Sequence, residues 1–414
     1  MTTLISNIKL LGGVHTTTTA LSGKELANFP CIKDAYLVIE DEQIAAFGNM
    51  QDLSHSPTAF SNHYDASGRM VLPSWCDSHT HLVFAGSREN EFVDKINGLS
   101  YADIAAKGGG ILNSARRLNE TPEESLFQQA YQRLQEVIKL GTGAIEIKSG
   151  YGLSVEGELK MLRVIRRLKN ASRMPIKATF LGAHAFPADY REDHQGYIDL
   201  LLNKMLPQIA AEGLADYIDV FCENGFFSPE ETERICAAGK AHGLKPKLHV
   251  NQLNSIGGIE AGLKANAVSL DHLETLTEDE IQLLAGAKQT VCTLLPTAAF
   301  FLCMGYQPAR KLIDADCTVA LASDFNPGSS PSGNMNFVVA LSSIQMRMLP
   351  EEAINAATIN GAHAMEMAGE AGSITVGKKA NIIITKPIPS LAFLPYAFGC
   401  DLLEKVMLAG EWVR

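Results

Sequence analysis

Two textures of apolar and polar residues alternate along this chain. Near its beginning, residues 4–11 and 35–47 form short β-rich runs broken by turn residues, and residues 35–40, Asp41-Glu42 and residues 43–48 read as a hairpin. A hairpin alone is marginally stable in water and needs further strands or a covering layer. Residues 380–385, and residues 405–408 followed by 409–413, repeat the strand-turn-strand pattern at the far end. The pattern therefore predicts a small β-sandwich or sheet domain built from both termini, residues 1–70 and 368–414, with residues 71–367 inserted as a second domain.

Inside the insertion the period changes. Apolar or β-branched runs start near Val71, Ala144, Ile176, Tyr217, Lys245, Ala267, Thr290 and Thr318, with helical stretches between them. Helix starts are signposted by capping boxes, in which a Ser or Thr and a following Glu satisfy the first free amides. Thr121-Pro122-Glu123-Glu124 opens a helix toward Leu140 with Gly141 to close it, Ser228-Pro229-Glu230-Glu231 opens one that Gly243 ends, and Thr277-Glu278-Asp279-Glu280 opens another. Eight strands alternating with helices predict an α/β fold, a (β/α)8 TIM-like barrel, whose chemistry sits at the C-terminal strand ends. A chain of 414 residues is long enough for such a barrel and an attached domain.

Those strand ends repeat one residue type. The first finishes at Asp77-Ser78-His79-Thr80-His81, and side chains two apart share a face, so His79 and His81 can face one ion together. The third finishes at His184, the fifth at His249, the sixth at Asp271-His272 and the eighth at Ser323-Asp324. His15, His55, His63, His194, His242 and His363 fall elsewhere and are assigned no chemistry. A lone His-x-His is a weak motif, which two hydrogen-bonded core histidines would match equally well. Repetition on several strands, with an aspartate on the last, points instead to a metal site made of His79, His81, His249 and Asp324. An ion held there can bring the pKa of bound water from about 15.7 toward roughly 7. Asp324 can then accept the nucleophile's proton, and His272 can orient the water or steady an oxyanion, so the chemistry is hydrolysis without a covalent intermediate.

This residue set resembles the amidohydrolase superfamily, including its small sheet built from both termini. Three longer strings, Asp77-Ser78-His79-Thr80-His81-Leu82-Val83-Phe84-Ala85-Gly86-Ser87-Arg88, Glu146-Ile147-Lys148-Ser149-Gly150-Tyr151-Gly152-Leu153 and Ser323-Asp324-Phe325-Asn326-Pro327-Gly328-Ser329, resemble the imidazolonepropionase family of histidine degradation. The resemblance spans essentially the whole chain. It implies opening of the ring of 4-imidazolone-5-propanoate by water to give N-formimidoyl-L-glutamate, with zinc or iron, as one divalent or trivalent ion, bound at His79, His81, His249 and Asp324. It also implies that Arg88 meets the substrate's carboxylate while Tyr151, His184, Asn326, Gly328 and Ser329 line the pocket. Two departures stand out. Residues 217–223 lack the modified lysine that bridges two metals in many superfamily members, which favours one metal. Gln252 stands where deaminase-like relatives carry a proton-shuttling glutamate; an amide takes up no proton at neutral pH, so Gln252 is read as a partner of the substrate ring. The shuttle is then Asp324 or His272.

Charge and cysteine usage narrow the reading further. A net charge of -11 without a basic tract argues against nucleic acid, and an anionic substrate entering such a protein needs a fixed local cation. Arg88, just past the first metal strand, has a guanidinium suited to a carboxylate; the competing reading is a surface salt bridge. Eight scattered cysteines without a Cys-x-x-Cys suit reduced thiols and a cytoplasmic setting. Residues 1–7 lack a basic, apolar leader pattern, and no apolar run of about eighteen residues predicts a membrane span. Gly108-Gly109-Gly110 reads as a lid segment, since no preceding strand and no following Lys-Ser/Thr support a phosphate loop. A homodimer is an allowed assembly, although the periodicity locates no interface. Two other functions remain open: another cyclic-amide hydrolase or a purine or pyrimidine aminohydrolase, and a non-catalytic assembly protein on the same scaffold.

Overall fold

The structure, a computed structural model, describes residues 1–54, 56–99 and 109–414; His55 and Gly108, and with Gly108 the lid reading, lie outside them. The first strands are β1 (Thr2–Gly12), β2 (Cys31–Glu40), β3 (Gln43–Asn49), β4 (Asn62–Asp65) and β5 (Met70–Pro73). Eight more follow through the middle of the chain: β6 (Trp75–Thr80), β7 (Thr142–Lys148), β8 (Ile176–Ala183), β9 (Tyr217–Cys222), β10 (Lys245–Val250), β11 (Ser269–His272), β12 (Val291–Leu294) and β13 (Val319–Leu321). The last are β14 (Ile382–Thr385), β15 (Leu403–Leu408) and β16 (Glu411–Trp412).

Both ends of the chain do join in one sheet, ordered β16-β15-β14-β5-β1-β2-β3 with β4 beside β1. The expected hairpin is there: β2 and β3 pair antiparallel with Glu40 opposite Gln43, and Asp41 between them takes a left-handed φ of 51°. Alternate residues of these strands, among them Ile5, Leu37, Ile39, Ile382 and Ile384, gather in a core of their own.

Strands β6 to β13 form the predicted parallel barrel in sequence order. Its first strand starts later than the apolar pattern suggests. Met70–Pro73 belongs to the terminal sheet, where β5 pairs parallel with β1 and antiparallel with β14. The chain crosses between sheets within one residue: Ser74 N–H donates to the Asn381 carbonyl, and Trp75 N–H donates to the Gly141 carbonyl. Because β5, Ser74 and β6 are all buried, no exposed position marks the crossing.

Two of the three capping boxes form, at Ser228 and Thr277. Thr121 does not cap forward; its hydroxyl donates to the Arg117 carbonyl 2.7 Å away and finishes the preceding helix, Ile111–Glu120, so Pro122 becomes the cap of Glu123–Lys139. Helices lie close on the barrel. A Cβ on Gly239, in the helix Pro229–Ala241, would fall 2.5 Å from Ile218 Cγ2 of β9. Alanine in a helix interior normally stabilises relative to glycine by roughly 1 kcal/mol. Here Gly239→Ala is expected to cost about 1–3 kcal/mol through overpacking and to lower the thermal unfolding midpoint; a raised midpoint would show that this helix has room to move off β9.

Candidate metal centre

The barrel closes between its last and first strands through the site itself. Asp324 N–H donates to the His79 carbonyl (3.0 Å) and His81 N–H to the Phe325 carbonyl (2.9 Å). Asp77, fully buried in β6, accepts from the Ser323 N–H (2.9 Å) and hydroxyl (2.6 Å). This stitching sets Asp324 beside the two histidines of β6. His79 Nε2 and His81 Nε2 each lie 3.6 Å from Asp324 Oδ1, and His249 Nε2 of β10 lies 3.4 Å from His81 Nε2. Donors at two corners of a tetrahedron with bonds of about 2.0–2.1 Å stand roughly 3.4 Å apart, so these separations suit one ion. His79 Nε2 is buried with no hydrogen-bond partner, a costly state for a protein group alone and a natural one for a lone pair facing a cation.

The imidazoles are held neutral, as metal ligands must be. Burial chiefly, then Lys148 and the neighbouring imidazoles, holds His79 well below its usual pKa; burial and the surrounding cations do the same to His81 and His249. Behind them, Asp271 Oδ2 is 2.6 Å from His79 Nδ1 and Asp219 Oδ2 is 2.9 Å from His249 Nδ1, the latter out of line for a good hydrogen bond. Lys148 and Lys247 lie among these carboxylates and Glu146, all fully buried. Burial opposes the charge on Lys148, but Asp219, Glu146 and Asp271 together outweigh it and raise its pKa. The sequence reading assigned none of these groups a role. Their signal was present: charged residues inside otherwise apolar strands, as in Ala144-Ile145-Glu146-Ile147-Lys148 and Tyr217-Ile218-Asp219-Val220, must be paired when buried.

The non-metal residues gather as well. Tyr151, His184, Gln252, Asn326 and Ser329 line one small cavity with His81, His249, His272, Asp324 and Phe221, the last not anticipated. His184 stacks on His81, with ring centres 5.2 Å apart. Its Nδ1 lies 3.0 Å from the Gly150 carbonyl, which can only accept, so Nε2 is left as an acceptor. Burial pushes His184 down to about 4. The loop bearing Tyr151 is held by the buried Glu158 carboxylate, which accepts from the N–H groups of Gly150, Gly152 and Leu153.

His272 is held the other way. Burial works against its charge, but Glu274, whose Oε1 is 3.3 Å from Nδ1, and the carboxylates of Asp324 and Asp271 raise its pKa. Burial pushes Asp324 up to about 6, against the opposing pull of His272 and of hydrogen bonds from Asn326 and Ser329; a bound cation's own charge would pull it down. His272 and Asp324 adopt left-handed φ values of 87° and 52°, backbone strain of the kind that clusters at functional sites.

Arg88 does not line that small cavity; it lines a neighbouring one with Phe84, Gln129 and Phe325, as N-cap of the helix Glu89–Ile96, with Nε donating to Glu91 Oε2 at 2.8 Å. It is close enough to Tyr151 to influence that phenol's ionisation. A Cβ on Gly328 would lie 2.2 Å from Arg88 Nη1, so glycine there makes room for the guanidinium. Asn326 shapes its own loop: its amide donates to the Asp324 carbonyl and to Ser329 Oγ, and its oxygen accepts from the N–H groups of Gly328 and Ser329.

The amidohydrolase family model matches residues 70–413. A Flavobacterium johnsoniae protein named imidazolonepropionase is 59% identical over 412 residues, covering 99% of this chain and 100% of that one. Its namesake from Christiangramia forsetii is 54% identical over 414 residues and 100% of both chains, and that of Clostridium tetani is 43% identical over 394 residues, or 94% and 93%. Among solved structures, E. coli guanine deaminase superposes with a TM-score of 0.77 at 16% identity, covering 100% of this chain and 99% of the other. Atrazine chlorohydrolase of Arthrobacter aurescens, in complex with zinc, gives 0.75 at 16% identity over 99% and 94%. The structural likeness shows the fold, and the fold's neighbours include zinc-bound proteins.

His249→Ala removes one of the converging donors. The unsubstituted protein is expected to carry about one transition-metal ion per chain and this variant to lose it. Elemental analysis of both checks this, and full metal content in the variant would refute the ligand set.

Proposed function

We propose, from the premise that this chain belongs to the amidohydrolase family and within it to the imidazolonepropionases, that the gathered rim residues carry out that family's ring opening around one metal ion. The reaction is a hydrolysis in histidine degradation. Water adds to the ring carbonyl carbon of 4-imidazolone-5-propanoate, the ring C–N bond breaks, and the product is N-formimidoyl-L-glutamate. The observation that carries the assignment of roles is the gathering of His79 and His81, each with Nε2 3.6 Å from Asp324 Oδ1, and of His249, whose Nε2 lies 3.4 Å from His81 Nε2. A zinc or iron ion held by these side chains would supply an acidified water and polarise the ring carbonyl.

The remaining steps belong to the chain's own groups. Asp324 Oδ1 faces the ligand nitrogens and Oδ2 accepts from the Ser329 hydroxyl at 3.2 Å, so this carboxylate is anchored where it can take the water's proton and pass it to the departing ring nitrogen. His272, whose pKa Glu274 raises against the effect of burial, donates to the oxygen on which negative charge develops. Neutral His184 offers its Nε2 lone pair to a ring N–H, and Gln252 and Tyr151 offer polar contacts to the rest of the ring. Arg88, whose guanidinium packs against the bare Cα of Gly328, meets the propanoate carboxylate. Gln252 in place of a glutamate removes the proton shuttle of deaminase-like relatives, which fits hydrolysis of a cyclic amide. We place the enzyme in the cytoplasm, where its eight free cysteines stay reduced. Among the described residues no helix is long and apolar enough to cross a membrane.

Activity should be seen when disappearance of imidazolone propanoate is followed beside a panel of purine, pyrimidine and hydantoin rings, and preference for any panel ring would overturn the substrate assignment. Arg88→Ala should raise KM by about 10- to 100-fold, the worth of a hydrogen bond to a charged group, with metal content unchanged. An unmoved KM would remove Arg88 from carboxylate recognition.

A further inference from the structure

Behind the rim lies a set of buried charges that takes no part in the steps above. Lys148 Nζ sits 2.8 Å from Asp219 Oδ2, 2.7 Å from Glu146 Oε1 and 3.6 Å from Asp271 Oδ2, and all of these side chains have 0% exposure. Two of the carboxylates also reach the ligand histidines. Asp271 Oδ2 is 2.6 Å from His79 Nδ1, and Asp219 lies 2.9 Å from His249 Nδ1 while its other oxygen accepts the His249 N–H at 3.1 Å. An ionised carboxylate can only accept, so the imidazole proton of His79 resides on Nδ1 and the lone pair on Nε2, the atom 3.6 Å from Asp324 Oδ1. The second oxygen of Asp271 is occupied too, by the Ser269 hydroxyl at 2.5 Å, which leaves that carboxylate no freedom to turn toward an ion itself.

We propose that Asp271 and Asp219 are positioning residues for the metal, each set behind one ligating imidazole, with Lys148 hydrogen-bonded to Asp219 at 2.8 Å and 3.6 Å from Asp271, so that the buried charge network fixes the direction of two of the three histidine ligands. The inference rests on the metal reading above. His81 has no such backing: its Nδ1 is buried without a hydrogen-bond partner. The ligands are therefore unequal, with His79 the best oriented, His249 held both by its backbone and, less directly, at its ring, and His81 placed by its backbone and by stacking on His184 with no carboxylate at its ring. A carboxylate accepting from the far nitrogen fixes the ring and makes the imidazole a stronger donor, and loss of such a partner typically weakens metal binding by about 10- to 100-fold.

The test uses the full chain stripped of metal, with zinc affinity measured by competition against a chromophoric chelator and the ligand field read from the visible spectrum of the cobalt-loaded protein. Asp271→Asn and Asp219→Asn keep the shape of the side chain and remove its charge. Each folded variant is expected to bind zinc about 10- to 100-fold more weakly than the unsubstituted chain, with a shifted cobalt spectrum. Affinity within threefold of the unsubstituted chain in both would overturn the proposal. A second measurement needs no variant: nitrogen chemical shifts of isotopically labelled histidine in the metal-free protein should report His79 as the Nδ1–H tautomer. The opposite tautomer overturns the proposal whatever the variants do. Neither readout involves substrate, so both are independent of the ring-opening reading, whereas an unsubstituted chain that binds no zinc would bring down the metal reading with this one.

Discussion

Two backbone hydrogen bonds, from Asp324 to the His79 carbonyl and from His81 to the Phe325 carbonyl, join the last barrel strand to the first. They complete the barrel, and by the same act they bring a carboxylate from one end of the inserted segment against histidines from the other. Asp77 reinforces the join with a bidentate grip on Ser323, although burying that carboxylate pushes its pKa up to about 7. Fold closure and assembly of the site are one event here.

Behind the seam the interior is unusually charged for a barrel core. Taking one partner away from a buried ion pair costs about 3–5 kcal/mol, because the other charge is left unpaired in a poorly polarisable medium. Lys148 and Lys247 against Glu146, Asp219 and Asp271 form a set in which every charge has an opposite neighbour. Such a network tolerates little rearrangement. Rigidity is what a site needs if several nitrogens must meet at one point within a few tenths of an ångström.

On the substrate side the structure separates charge by function. Burial first, then Lys148 and the neighbouring imidazoles, hold His79, His81, His184 and His249 below their ordinary pKa, which favours neutral rings with a lone pair to offer. His272, one strand from His249, is driven the other way: burial works against its charge, but Glu274 and its fellow carboxylates raise its pKa. In the neighbouring cavity, near Tyr151, Arg88 is steadied by Glu91 and given room by the absence of a side chain on Gly328.

Much of this was legible in the chain alone, since strand and helix periods are local and a residue at a strand's C-terminal end in an alternating β/α pattern can only reach the catalytic face. His79, His81, His184, His249, His272 and Asp324 were identified in that way, as was the pairing of the two ends of the chain in one sheet. What escaped was mostly what depends on neighbours distant in sequence, together with one local contest between adjacent helix ends at Thr121. The crossing from β5 to β6 left no mark because both strands are buried throughout, and the cap expected of Thr121 went to the helix before it. The carboxylates behind the histidines, and the lysine between them, looked like stray charges until folding set Lys148 against Asp219, 71 positions away. Local periodicity determines which face a side chain occupies; only the closed barrel decides which side chain stands opposite, because that is a matter of strand order and register and not of spacing along the chain.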